Sequence, residues 1–314
     1  MLLGALLLDR LLNEPTNRYH PVAWCGRLAA SCQRRFYRDS VASGMRALVV
    51  AMAIPLAILI AVRRLARALG GDKAVFVLDV LVTWTCLCGN SLRATTKAAI
   101  DSMESGSHDE ARAIVQQMVS RDLSSAEPAA IRRAALETLA ENTNDAVVAP
   151  ALHALMLGAP GAALQRLADT YDSMFGYYDE RFARFGRPFA ILDDVLAFAP
   201  ARLTVGLVGL QAASVGGSAA RALAAARRWG PYHPSPNAGR VEAAFAGALG
   251  VKAGGPVITG ARWTLRPWLC PDFPDPSNAD LRRALRLSDR VERTLGWAAL
   301  AGAATAVFRR GRLP

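Results

Sequence analysis

The chain has 314 residues, 52% of them hydrophobic, and a positive mean hydropathy of +0.19. That is long enough for one large domain or two small ones, and apolar enough to favour a membrane-associated protein over an ordinary soluble enzyme. The formal net charge of +11 rests on arginine, since Lys73, Lys97 and Lys252 are the only lysines. With sparse aromatics and neither RNP-like nor zinc-finger spacing, this balance suits anionic lipid headgroups or a phosphorylated substrate and argues against nucleic acid.

The first ten residues, Met1 to Arg10, have no basic segment before their apolar run and no small-x-small cleavage site, so they do not read as a removable signal peptide. Residues 47–62 are uninterrupted apolar sequence between Arg46 and the pair Arg63, Arg64, the best candidate for a membrane span. A second candidate, 74–92, carries Asp79. Further runs rich in Gly and Ala follow at 146–164, 203–220 and 295–308.

Between the runs lie polar amphipathic helices. Ser107-His-Asp-Glu110 reads as a capping box opening a helix through about Val119. Pro128 opens a strong helix-forming stretch on which Glu137, Glu141 and Asp145 follow at i, i+4, i+8 and share a face. Like charges at that spacing cost roughly 0.2–0.5 kcal/mol per pair, so a divalent metal or an arginine is expected over them. Residues 228–280 are dense in Pro and Gly, which is loop chemistry around an Ala-rich helix from Val241 to Leu249. Asn278 starts a long arginine-rich helix running into the last apolar segment. There are few alternating β patterns and no internal repeat. The expected fold is mainly α, a polytopic helical membrane protein with amphipathic and loop-rich water-facing segments, and one membrane-embedded domain over 1–314.

Cys25, Cys32, Cys86, Cys88 and Cys270 are odd in number and contain no C-x-x-C pair, so neither a disulfide framework nor a structural zinc site is indicated. No P-loop, no G-x-G-x-x-G after a strand and no G-x-S-x-G occurs. Four polar islands stand out from the Ala/Leu background. The acidic helix around Glu137, Glu141, Asn142 and Asp145 is a candidate metal or acid/base site. The segment Leu192-Asp193-Asp194 to Pro200-Ala-Arg202 pairs carboxylates suited to Mg²⁺ with an arginine suited to phosphate. The loop His233-Pro-Ser235-Pro-Asn237-Ala-Gly-Arg240 displays His, Ser, Asn and Arg before a helix whose amides can receive an anion. The fourth is Asp9-Arg10 through Glu14-Pro15 to His20-Pro21-Val22.

In this order the islands resemble the CobD/CbiB family of cobalamin-biosynthesis proteins, the adenosylcobinamide-phosphate synthases of the bacterial inner membrane. The resemblance runs over nearly the whole chain. It includes Ser120-Arg121-Asp122-Leu-Ser, Ala140-Glu141-Asn142 with Asp145 and Pro150, Asp172-Ser-Met174-Phe-Gly176-Tyr177, Phe185-Gly186, and Glu242 with Gly247-Ala-Leu-Gly250 beside the islands already quoted. This chain departs from the family pattern at Asp169-Thr-Tyr-Asp172, at Leu123, and at Arg240-Val241, where Trp-Pro is usual.

The resemblance implies ATP-dependent amide formation between a propionate carboxylate of adenosylcobyric acid and (R)-1-aminopropan-2-ol phosphate or ethanolamine phosphate, in a multi-pass protein of the inner (cytoplasmic) membrane. Membrane lipid and other cobalamin-pathway enzymes are the further partners it implies. Such chemistry needs Mg²⁺ on the phosphates and cations on the developing charge. Glu141, Asp145, Asp193 and Asp194 are then expected to hold Mg²⁺ directly or through water, with Asn142 orienting an oxygen. Arg121 and Arg202 would clamp phosphate, and His20, Asp122, Asp172, His233, Ser235 and Asn237 would contact substrate. Glu137, His20 and His233 are the candidates to accept the amine proton. Competing readings are an intramembrane Mg²⁺-dependent prenyl or phosphoalcohol transferase and a non-enzymatic AmpE-like membrane sensor or scaffold. A transporter is disfavoured because charges cluster near span ends, Asp79 excepted.

Overall fold

The computed structural model describes residues 1–12, 14–176, 181–259 and 262–310, so Tyr177 of the sequence motif lies outside the described residues. The protein is mainly helical. In chain order the elements are α1 (Leu2–Leu11), α2 (Pro21–Phe36), α3 (Val41–Thr85), α4 (Gly89–Glu104), α5 (His108–Gln116), α6 (Pro128–Thr143), α7 (Ala149–Leu157), α8 (Ala159–Phe175), α9 (Arg187–Ala212), α10 (Ala219–Arg228), α11 (Ala238–Leu249), β1 (Ala253–Gly254), β2 (Val257–Thr259), β3 (Arg262–Thr264), β4 (Trp268–Leu269) and α12 (Asn278–Arg310). The strands form two small antiparallel ribbons, β1 with β4 and β2 with β3, inside the stretch that reads as loop chemistry.

The chain divides into two compact units. One comprises Met1–Cys88, Asp145–Ala197 and the chain from Gly296 onward, and the other Gly89–Asn144 and Phe198–Leu295. Both α9 and α12 run from one unit into the other.

In the first unit, α3 is two antiparallel limbs rather than one rod. Gly71 has φ 62° and ψ −156°, far from helical values. A straight helix would hold residues 63 and 79 about 24 Å apart at 1.5 Å rise per residue, yet the Arg63 guanidinium donates to both Asp79 oxygens, at 2.7 and 2.9 Å. The chain therefore reverses at Gly70–Gly71. Asp79, which looked like a charge stranded in a span, is the buried half of a bidentate ion pair.

The foot of this hairpin packs on α2 and α8 through an aromatic cluster. Tyr171, Phe175, Phe185 and Phe189 are buried, with ring centroids of successive pairs 5.1–6.4 Å apart. The buried Tyr171 hydroxyl donates to the Ala51 carbonyl at 3.0 Å. Close backbone approach at Gly44 completes the joint, because a Cβ there would strike the Phe185 carbonyl.

The second unit is built on α11, whose residues Val241 to Leu249 are all buried. A helix apolar on every side belongs at the centre of a fold. It packs on α6 and α10, and the Arg221 carbonyl of α10 would lie 2.6 Å from a Cβ at Gly247. Thr143 and Ser288 share a 2.7 Å buried hydrogen bond, and Arg93 is ion-paired to Glu292, which tie α4, α6 and α12 together.

Several details differ from the sequence reading. The helix from His108 ends at Gln116 rather than Val119, and Ser107 makes no side-chain cap, so no capping box forms. The apolar run 146–164 is broken at Gly158, whose positive φ of 72° starts a new helix. The run 203–220 leaves the α-helix at Ala212, passes through a 3-10 turn and meets Gly216 in the left-handed region. Among the described residues two helical stretches are long and apolar enough to cross a membrane, Val41–Glu104 and Arg187–Val215, with window mean hydropathies of 2.5 and 1.5. Only 22% and 39% of those windows is buried within the protein.

Gly44→Ala should destabilise the first unit by roughly 1–3 kcal/mol, the usual cost of overpacking a close joint. Thermal melting in detergent should give a midpoint a few degrees below wild type; an unchanged midpoint would show that the α3 joint tolerates a methyl group.

Candidate functional site

The second unit holds a group of titratable side chains where helices α6 and α11 meet. Glu137 of α6 is 2% exposed. Its Oε2 pairs with the Arg121 guanidinium, and its Oε1 accepts the Gly254 N–H of β1 at 2.6 Å. The arginine expected over the acidic helix is therefore Arg121. Burial works against the Arg121 charge, yet the carboxylates of Glu137, Glu242 and Glu141 raise its pKa.

Across from it, Glu242 of α11 is 4% exposed. Burial first, then the neighbouring Glu137 and Glu141 carboxylates, push its pKa well above the ordinary carboxylate range, against the pull of Arg121 and Arg266. Three carboxylates against two arginines become two charges of each sign if Glu242 keeps its proton. That arrangement avoids an uncompensated buried charge.

His233 completes the group. Two prolines stiffen its loop, and its position is fixed by close approach of Gly239, where a Cβ would overlap the His233 side chain. The Ser235 N–H points at Nδ1 at 3.1 Å. Nδ1 also lies 3.3 Å from the Ser235 carbonyl, but the shorter contact is from a backbone N–H, an obligate donor, so Nδ1 accepts and the neutral imidazole carries its proton on Nε2. Nε2 lies 3.9 Å from Glu242 Oε1, is buried and makes no hydrogen bond. Burial and the nearby Arg266 lower the His233 pKa to about 4.

The remaining sequence-derived residues are distributed as follows. Ser235 Oγ accepts the N–H groups of Asn237 and Ala238 at 3.4 and 3.2 Å, organising the start of α11. Arg202 donates to Asn237 Oδ1, lies 3.4 Å from the Pro236 carbonyl and stacks 3.7 Å from the Phe198 ring. Asp122 is exposed and accepts the Ser124 N–H at 2.8 Å, an Asx-turn that shapes the loop before α6. Half-buried Glu141 and Asn142 lie on α6, and the Asn142 amide donates to the Thr138 carbonyl at 2.9 Å.

Asp145, Asp172, Asp193 and Asp194 are half-buried and belong to the first unit, as does His20. The α-helix stops at Thr143, and Asp145 lies in the π-helical turn Asn144–Val148 that follows it. His20 repeats the His233 arrangement within its own unit. Its Nδ1 accepts the Val22 N–H at 3.2 Å, capping α2, and its Nε2 sits 3.7 Å from Glu14 Oε2. Among the described residues no three His, Cys, Asp or Glu side chains form a ready metal cage.

Glu242, Arg266 and Gly254 belong to the buried group but were not singled out as site residues from sequence. Glu242 had a signal, as the one acid in an otherwise apolar helix. Arg266 and Gly254 had none, since only the fold of the β-ribbons brings them to α6.

Fold and site together describe a helical, partly apolar protein carrying a buried acid, arginine and histidine group in its second unit. Residues 2–288 match the family model described as CobD/Cbib protein, and the chain belongs to that family. It is 40% identical over 296 residues to the cobalamin biosynthesis protein CobD of Mycobacterium tuberculosis, covering 93% of this chain and 91% of the relative. The CobD proteins of Chromobacterium violaceum and Rhodobacter capsulatus are 39% and 36% identical, over 96% and 93% of this chain and 94% and 93% of theirs. No solved structure matches the chain.

Glu137→Gln keeps the acceptor for Gly254 but strands the Arg121 charge, which should cost about 3 kcal/mol. Denaturant unfolding should report this loss, and the double variant Glu137→Gln/Arg121→Met should recover part of it. A loss below ~1 kcal/mol would mean that water reaches the pair.

Proposed function

We propose that this protein is an ATP-dependent acid–amine ligase that joins a corrinoid carboxylate to an amino-alcohol phosphate, such as aminopropanol phosphate or ethanolamine phosphate. The observation that carries this reading is the buried pair of acids Glu137 and Glu242, gathered with Glu141, Arg121, Arg266 and His233 in a chain of the CobD/CbiB family. A membrane sensor or scaffold would have no use for charges that cost so much to bury.

A carboxylate is a poor acylating agent. In the proposed sequence its oxygen attacks the γ-phosphorus of ATP and ADP leaves, giving an acyl phosphate. The amine nitrogen then attacks the carbonyl carbon, and phosphate departs with the former carboxylate oxygen. The ammonium form must shed a proton before attack. Glu137 is a weak acceptor because both its oxygens are engaged, and His233 has its Nδ1 lone pair occupied. Glu242, once ionised, is the stronger base, since the surroundings that raise its pKa favour the protonated form. Glu137 and Arg121 then act as positioning residues that fix the electrostatic field around it.

Mg²⁺ is commonly held by one or two carboxylates plus substrate phosphates, keeping several waters, so a preformed protein cage is not required. Half-buried Asp145, Asp193 and Asp194 of the first unit are hard oxygen ligands of the kind this ion takes. Bound there, the ion would neutralise charge on the transferring phosphoryl group. We further place the protein in the bacterial inner membrane as a multi-pass chain, on the strength of the apolar, outward-facing stretches in α3 and α9.

Purified protein in detergent, given adenosylcobyric acid, aminopropanol phosphate, ATP and Mg²⁺, should yield the amide with one ADP per bond, followed by mass spectrometry. Glu242→Gln should lower kcat at least 100-fold with an unchanged melting curve. Folded wild-type protein that makes no amide, or an active Glu242→Gln variant, would overturn the corresponding part of the reading.

A further inference from the structure

The arginines of the second unit differ in how they are partnered. Arg93, Arg121 and Arg133 are ion-paired with Glu292, Glu137 and Asp275, and Arg282 with Asp101 and Glu104. Arg202 and Arg240 have no carboxylate partner among the described residues. They flank the same short segment, residues 236–240. Arg202 reaches the Pro236 carbonyl and the Asn237 side chain from α9. Arg240 sits in the first turn of α11, its N–H on the Asn237 carbonyl at 3.1 Å.

The Arg240 side chain is held where it is. Its Cγ lies so close to Gly230 that a Cβ there would sit 2.7 Å away. Its Nη1 finds only the distant Ala226 carbonyl at 3.5 Å, and its buried Nε–H has no hydrogen-bond partner. Two like charges fixed beside one loop, the Arg240 Nε–H unspent and neither arginine paired with a carboxylate among the described residues, are complementary to a dianion. Guanidinium forks match phosphate oxygens in particular.

We propose that Arg202 and Arg240 form a phosphate clamp at the start of α11, with Arg240 as the member that sequence motifs did not assign. The ligand is a terminal phosphate group, either the γ-phosphate of a nucleotide or the phosphate monoester of the amino-alcohol substrate. Arg121, held by Glu137 in a buried pair, is then a positioning residue and not the second jaw. The proposal depends on the ligase reading only for which of the two phosphates is bound.

The test is equilibrium binding of three probes to full-length protein in detergent: inorganic phosphate, O-phosphoethanolamine and a non-hydrolysable ATP analogue, each at two salt concentrations. Wild type should bind the phosphoethanolamine or the nucleotide probe, more weakly at high salt. Arg202→Gln and Arg240→Gln should each weaken binding about tenfold or more, while Arg240→Lys should recover part of it. Arg228→Gln, which removes an exposed arginine stacked on Trp229 in neighbouring α10, should leave binding unchanged. Response to only the phosphoethanolamine or only the nucleotide probe assigns the clamp to that substrate. Folded Arg240→Gln protein with wild-type affinity for all three probes would overturn the clamp, even where wild type makes amide. Arginine-dependent phosphate binding by a protein that forms no amide would keep the clamp and sink the ligase.

Discussion

Burying a carboxylate without a counter-charge costs several kcal/mol, and α6 and α11 bury Glu137 and Glu242 at 2% and 4% exposure. Much of the second unit is arranged to meet that cost. The loop before α6 delivers Arg121 to Glu137, β1 turns its Gly254 N–H inward to the other oxygen, and the Pro-rich loop sets His233 against Glu242. A chain selected for stability alone would fill these positions with apolar side chains. Under the proposed ligase reading the group is a preorganised field for chemistry on charged substrates, whose strength depends on keeping water out.

The same economy of space governs the backbone. α11 can lie at the centre because small residues let its neighbours approach closely. Gly247 admits α10, and Gly239 admits the His233 side chain at the beginning of the helix. The first unit meets a different constraint with the same means. Gly70 and Gly71 allow α3 to double back, and the reversal gives Asp79 a bidentate partner in Arg63. An acid that would be prohibitive in a lone apolar span becomes part of a hairpin's internal clamp.

Much of this was legible in the sequence, and the limits have physical causes. Helices announced themselves through proline at N1 in α6 and through long apolar runs. The acids of α6 raised the right question, namely what cation covers them. Spacing alone could not choose Arg121 as the answer, because that pairing depends on how a loop folds back on a helix. It also could not show that α3 reverses, since a glycine pair inside a helical pattern is compatible with either path. The π turn at Asn144–Val148, directly after α6, is a local backbone choice that periodicity does not encode. Arg266 was invisible because only the small β-ribbons carry it toward α11.

The central claim is that the group on α6 and α11 is water-poor and electrostatically fixed. Histidine-selective ¹⁵N NMR of the full-length protein tests it most directly, using a His233→Gln variant to assign the resonance. The account predicts an Nε2–H tautomer for His233 that stays neutral through the mildly acidic range and titrates at about 4. A resonance titrating near 6.5, the value of a solvated imidazole, or one carrying its proton on Nδ1, would contradict it.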